Sequence, residues 1–227
     1  SSHDQAIRGR SRRGGPQRDR GPQAGVEGAV QRRAVLDQRG RGAHRFVDVA
    51  SRQRELGPVQ VMAAGERGIA CLPGREAEFR AGVAQGIEYA RTLGCLQLNC
   101  LAGLAPVDVP DAQVRDVFKA NLRYAASALA EHNIRLLIEP INSRIDMPGF
   151  WLDTPSKALT LMAELALPNL WLQYDVYHAQ VMAGDLARTI EASLARIAHF
   201  QLADNPGRHE PGTGEINYPF LFDLLDR

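Results

Sequence analysis

From about Ala63 onward the chain switches repeatedly between two hydrophobic patterns. Short, almost wholly apolar runs alternate with longer stretches in which apolar residues return every three or four positions. The helical spacing is clear over 75–94, "REAEFRAGVAQGIEYARTLG", where Phe79, Val83, Ile87 and Tyr89 or Ala90 fall at helical spacing and Gly94 supplies a C-terminal cap. "CLQLNC" follows as a short strand, and a second amphipathic helix is predicted from near Asp111 to Asn133. "IRLLIE" reads as a buried strand. "TPSKALTLMAELA" reads as a helix opened by Thr154, with Pro155 in its first position. "LWLQYD", "DLARTIEASLA", "IAHFQLAD" and "YPFLFDLLDR" then give strand, helix, strand and the start of another helix. Strands this apolar are buried on both faces, so four successive βα units predict a parallel sheet covered by helices.

Polar residues interrupt this pattern at matching places. Glu139 ends the second strand, Asp175 the third, and Gln201 and Asp204 close the fourth. In parallel α/β folds the carboxyl ends of the strands share one rim, and active sites are built there. Glu139, Asp175 and Gln201 are therefore expected to face one pocket, with His178 three residues beyond Asp175. Two carboxylates and an amide oxygen suit a hard divalent cation, Mg²⁺ or Mn²⁺. Such a cation would polarise a carbonyl and stabilise an enediolate, and a neighbouring carboxylate would move the proton. The plainer alternative is that each acid only caps the helix after its strand.

Charge divides the chain in two. Residues 1–57 carry 13 arginines against six acids, while the remainder carries 14 basic and 20 acidic residues. The first segment has one aromatic residue, Phe46, and little periodicity, so it has too little to bury and is expected to be disordered. Two further readings of it stand side by side. "RGRSRR" and "RGRG" would suit an arginine-rich arm on nucleic acid, although no aromatics interleave for base stacking. The same composition also fits a GC-rich gene read out of frame. The domain division expected is therefore 1–62 for this segment and 63–227 for the folded domain. No run approaches the roughly 18 apolar residues of a membrane helix. Cys71, Cys95 and Cys100 lack paired metal-ligand spacing and favour reduced thiols in the cytoplasm.

Four stretches together carry a resemblance: "LLIEPIN" (136–142), "PGFWL" (148–152), "LQYDVYH" (172–178) and "QLADNPGRHEPGTGEINYPFLF" (201–222). From about Ala63 to Arg227 the chain resembles the hydroxypyruvate isomerase family of the xylose-isomerase-like TIM barrel superfamily; 2-oxo-tetronate isomerases share much of the pattern. The resemblance implies a (β/α)8 barrel and an aldose–ketose type isomerisation of a small hydroxy-keto acid, hydroxypyruvate to tartronate semialdehyde, in glyoxylate metabolism. It implies Glu139 as a catalytic glutamate that also touches the metal, Asp175 and Gln201 as further metal ligands, and His178 and Arg208 as substrate contacts. An arginine is a natural fork for the substrate carboxylate. The stretch after Gln201 becomes the loop following the seventh barrel strand, with Gly207, Gly212 and Gly214 allowing tight turns. No nucleic-acid or membrane partner is expected, and a homo-oligomer is left open.

The resemblance also sets an expectation of incompleteness. The four legible strands correspond to barrel strands four to seven. The first three would fall where the Arg/Gly-rich segment stands, and no residue is assigned the second catalytic glutamate of the eighth. The chain as written is therefore expected to be impaired, with no isomerisation above a Glu139→Gln control. The alternatives kept beside this reading are a ketose 3-epimerase or 2-oxo-tetronate isomerase chemistry, and an inactive fragment that binds a partner.

Overall fold

The computed structural model describes residues 67–227. The expectations for residues 1–62, disorder, a nucleic-acid arm or a shifted frame, fall outside the described residues. The sheet comprises β1 (Gln97–Cys100), β2 (Arg135–Ile138), β3 (Leu170–Asp175) and β4 (Ile197–Gln201). All pairings are parallel, and the spatial order equals the chain order, β1-β2-β3-β4. Each strand therefore pairs with the next one in sequence across a helical crossover, the sequential winding of a barrel wall. In register, Leu98 faces Leu136, Leu136 faces Leu170, and Asp175 faces Gln201.

The helices are α1 (Glu76–Leu93), α2 (Asp111–Ala130), α3 (Pro155–Leu165), α4 (Val176–Met182), α5 (Leu186–Ser193) and α6 (Tyr218–Leu225). Their ends follow local chemistry. Gly94 closes α1 in the left-handed region, φ 66°, where its N–H reaches back to the carbonyls of Ala90 and Arg91. Thr154 caps α3 by accepting from the Lys157 amide, with Pro155 at the first position as the sequence predicts. Helix α2 stops at Ala130, three residues before the expected Asn133. Asn133 instead takes φ 56°, a left-handed conformation that asparagine tolerates better than most residues.

The helix α4 is absent from the sequence reading. It begins directly after β3, and Val176, Tyr177, His178 and Ala179 are all buried. A helix buried on successive positions shows no amphipathic period to detect. None of the described helices is long and apolar enough to cross a membrane.

The helices bury their apolar faces on one continuous core. Leu136, Ile138, Leu170 and Leu172 of the sheet join Phe118, Leu122 and Leu129 of α2 and Leu161 of α3 in it. Phe118 meets the edge of the Trp151 ring at 5.1 Å. Trp151 is held from two further sides: its indole N–H donates to Asp111 Oδ1 at 2.7 Å, and Lys157 Nζ sits 3.9 Å from its ring centroid. Phe118→Ala empties the middle of this contact and is expected to cost about 3–5 kcal/mol. Urea unfolding checks this: the midpoint should fall with the slope unchanged, and a midpoint within error of the parent would show that the Phe118–Trp151 contact carries little of the stability.

Candidate active site

Three strands deliver the centre of the site. Glu139 follows β2 directly and is buried. A buried carboxylate needs donors, and two amides supply them. Asn99 of β1 donates from Nδ2 to Glu139 Oε2 at 2.5 Å, and Gln173 of β3 donates from Nε2 to the same oxygen at 2.6 Å. Gln173 Nε2 also donates to Gln201 Oε1 at 2.9 Å, tying the end of β4 to the same cluster. Gln173 and Asp175 stand two apart on β3 and so share a side of the sheet.

Asp175 serves both readings of its position. Its Oδ1 accepts from the His178 backbone N–H at 3.1 Å and so caps α4, while Oδ2 lies 3.8 Å from His178 Nε2. Ligand atoms of Glu139, Asp175 and His178 all fall within 4.8 Å of one another, and all three residues are buried. Beside them the buried Asn99 Oδ1 has no hydrogen-bond partner among the described residues. Carboxylates and amide oxygens gathered this closely fit a hard divalent cation. Glu139, Asp175 and Gln201 are the oxygen donors that would hold it.

A second polar group packs against the first. His178 is buried, and burial pushes its imidazole below the usual histidine range, with the Arg208 charge acting in the same direction and Asp175 and Asp146 against it. Its Nδ1 lies 2.7 Å from Asn142 Nδ2, and its Nε2 3.4 Å from an Arg208 guanidinium nitrogen. Arg208 is 41% exposed, stacks over the Tyr177 ring at 5.3 Å, and lies 3.5 Å from Asp146 Oδ1. The structure thus brings all five expected residues, Glu139, Asp175, His178, Gln201 and Arg208, into one connected group.

Asn99, Gln173, Asn142, Asp146 and Tyr177 join them without having been singled out from the sequence. For Asn99 and Gln173 a signal existed: each is an amide inside an otherwise apolar strand. Asn142 lay within a quoted motif, whereas Asp146 had no distinguishing pattern.

The loop from 202 to 217 is organised by Asp204. This carboxylate is 1% exposed and accepts from the backbone N–H groups of Asn205 (2.9 Å), Gly212 (2.8 Å) and Ile216 (3.0 Å), with Gly214 a further backbone donor. These bonds hold the acid below the usual aspartate range against the opposing effect of burial. Gly214 fits because a Cβ there would lie 2.1 Å from the Asn205 carbonyl oxygen, and Gly212 takes φ 92°. At 207–208 the left-handed residue is Arg208 itself, φ 55°, with its N–H donating to the Asp204 carbonyl at 2.8 Å. Glu215 stabilises the loop as a partner for Gln180 and Asn205.

Four parallel strands paired in chain order, with carboxylates and amides gathered at their carboxyl ends, are the arrangement of an α/β-barrel wall with its site on that rim. The chain belongs to the xylose isomerase-like TIM barrel family, whose sequence profile matches residues 24–227. That match starts well before Ala63, within the Arg/Gly-rich segment. The chain is 51% identical to hydroxypyruvate isomerase of Escherichia coli (strain K12) over 169 residues, 74% of this chain and 65% of that protein. It is 44% identical to 2-oxo-tetronate isomerase of Cupriavidus necator, covering 72% of this chain and 63% of that one. Among solved structures it resembles an AP endonuclease of family 2 from Brucella melitensis, with 42% identity and a TM-score of 0.70 over 75% of this chain and 65% of that one. The chain thus spans just under two thirds of the length of the relatives it matches.

Replacing Asp204 tests the loop account. Asp204→Ala leaves the backbone donors without their acceptor and is expected to cost about 2–3 kcal/mol. Because the folded acid titrates below the unfolded one, its contribution is fully present above the ordinary aspartate value of about 3.9 and is lost as pH falls through the lower folded value. Denaturant midpoints of parent and variant should therefore differ at pH 7 and converge on acidification below about pH 4. A gap that persists unchanged into that range would count against the assignment.

Proposed function

We propose that the site interconverts hydroxypyruvate and tartronate semialdehyde by moving a proton between adjacent carbons through an enediolate. The observation that carries this reading is the buried Glu139–Asp175–His178 cluster at the strand ends, with the Arg208 guanidinium 3.4 Å from His178. It draws further support from the 51% identity to the Escherichia coli hydroxypyruvate isomerase.

Each residue has a task set by its chemistry. Glu139, held by the Asn99 and Gln173 amides, removes or returns the proton at one of the two carbons. Arg208, fixed by Asp146 and by Tyr177 beneath it, takes the substrate carboxylate. His178 hydrogen-bonds a substrate oxygen. Glu139, Asp175 and Gln201 would hold a Mg²⁺ or Mn²⁺ ion, which when bound would polarise the carbonyl and offset charge on the enediolate oxygens. We place this activity in the cytoplasm and in glyoxylate metabolism.

The relatives are longer than this chain, so the test grafts the site into a whole enzyme. The matched stretch of the Escherichia coli hydroxypyruvate isomerase is exchanged for that of this chain, and conversion of hydroxypyruvate is followed. The graft is expected to turn over, and Glu139→Gln to lower kcat by about 10²–10⁴-fold. A folded graft no faster than its Glu139→Gln variant would overturn the reading. A kcat/KM favouring 2-oxo-tetronate over hydroxypyruvate would move the substrate to that of the Cupriavidus necator relative.

A further inference from the structure

We infer that Asn142 is a positioning residue: it fixes the Nε2–H tautomer of His178, making that nitrogen a hydrogen-bond donor to substrate and barring it from the metal. The role given to the substrate rests on the proposed isomerase reading; the tautomer does not.

Asn142 is fully buried, and its Oδ1 accepts from the backbone N–H groups of Ile145 at 3.0 Å and Asp146 at 2.9 Å. Backbone amides only donate, so these two bonds identify the oxygen and exclude the flipped amide. The NH₂ group must then face the other way. It has two hydrogens and two neighbours: Asp146 Oδ2 at 2.6 Å and His178 Nδ1 at 2.7 Å. A ring nitrogen that receives an N–H presents its lone pair, so Nδ1 is unprotonated. His178 is 3% exposed, and a ring whose Nδ1 is unprotonated is the neutral imidazole, which keeps one proton. That proton is on Nε2.

Two consequences follow at Nε2. A protonated ring nitrogen has no lone pair for a cation, so His178 is not a ligand despite lying within 4.8 Å of the Glu139 and Asp175 ligand atoms. The cation set is then made of oxygens alone, which suits Mg²⁺ or Mn²⁺ better than a softer metal. In addition, the Arg208 nitrogen 3.4 Å from Nε2 is also a donor; a neutral ring accepts at one nitrogen only, and the Asn142 amide, closer at 2.7 Å, takes that place. Two donors this close are satisfied together by a single acceptor, and a substrate oxygen supplies one. Asn142 thereby turns His178 and Arg208 into a matched pair.

The test reads the tautomer directly, by ¹⁵N NMR of the full chain labelled at histidine, at about pH 8, above the ordinary histidine value of about 6.5. His178→Gln assigns the signals. The parent is expected to show a pyridine-type Nδ1 and a pyrrole-type Nε2. Asn142→Asp replaces the donating NH₂ by an accepting oxygen and should move the proton to Nδ1. Asn142→Ala removes the donor without adding charge, and should give a mixture of the two forms if the aspartate variant fails to fold. Addition of Mg²⁺ should leave Nε2 protonated. A parent with its proton on Nδ1, an Asn142→Ala variant that keeps the pure Nε2–H pattern, or loss of the Nε2 proton on adding Mg²⁺ would each overturn the inference. None of these readouts depends on turnover, so a graft without isomerase activity and a parent with the expected tautomer would sink the first reading and leave this one standing.

Discussion

Parallel pairing of four strands buried on both faces is the constraint from which the site follows. Within such a sheet most side chains lie among apolar neighbours, and burying a polar group there costs free energy unless another polar group meets it. Asn99 and Gln173 are such groups, and they meet at Glu139. Leaving either amide or the carboxylate unpaired would cost about 1–3 kcal/mol, so each holds the others in place. The sheet register brings Asp175 level with Gln201, and Gln173 links that pair to Glu139. The cluster is therefore rigid for the same reason that it is buried.

The outer half of the site depends on a loop rather than on the sheet, and a different device fixes it. A 16-residue excursion after β4 has many polar backbone groups and few apolar side chains to anchor it. Asp204 gathers its N–H groups onto one buried carboxylate, much as a metal ion gathers ligands. The loop can then hold Arg208 at a positive φ, a conformation that a free arginine seldom adopts, and direct its guanidinium toward His178. Backbone strain at one residue is balanced by several hydrogen bonds at another.

Much of this was legible in the sequence because it rests on short-range patterns. The periods of α1, α2 and α3, the Thr154–Pro155 start, the Gly94 cap and the acids at the strand ends are all local signals, and the structure carries them. The residues that escaped are those whose partners are distant along the chain. Gln173 acquires its meaning from Glu139 and Gln201, 34 and 28 residues away, and Asn142 from His178, 36 residues away. Helix α4 escaped for the opposite reason, since a segment buried on successive positions has no polar face to mark its period. Asp204 was visible as a strand-end acid, but its task is in the backbone of its own loop, which side-chain patterns do not reveal.

Electrostatics links the two halves. Asp146 pairs with the Arg208 guanidinium, Glu139 and Asp175 gather on the other side of His178, and the groups that orient them include neutral amides. The donors on Glu139, Asn99 and Gln173, are neutral amides rather than cations. In the proposed reading, a divalent cation held by Glu139, Asp175 and Gln201 would bring positive charge to the strand ends. Arg208, partly exposed and already paired with Asp146, offers its charge at the outer end instead. The site thus differs along its depth, with oxygen ligands gathered at the sheet and a guanidinium at the loop. Under the proposed isomerase reading, an acid bearing a carboxylate at one end and vicinal oxygens at the other would match that division, and a neutral ketose would use only half of it.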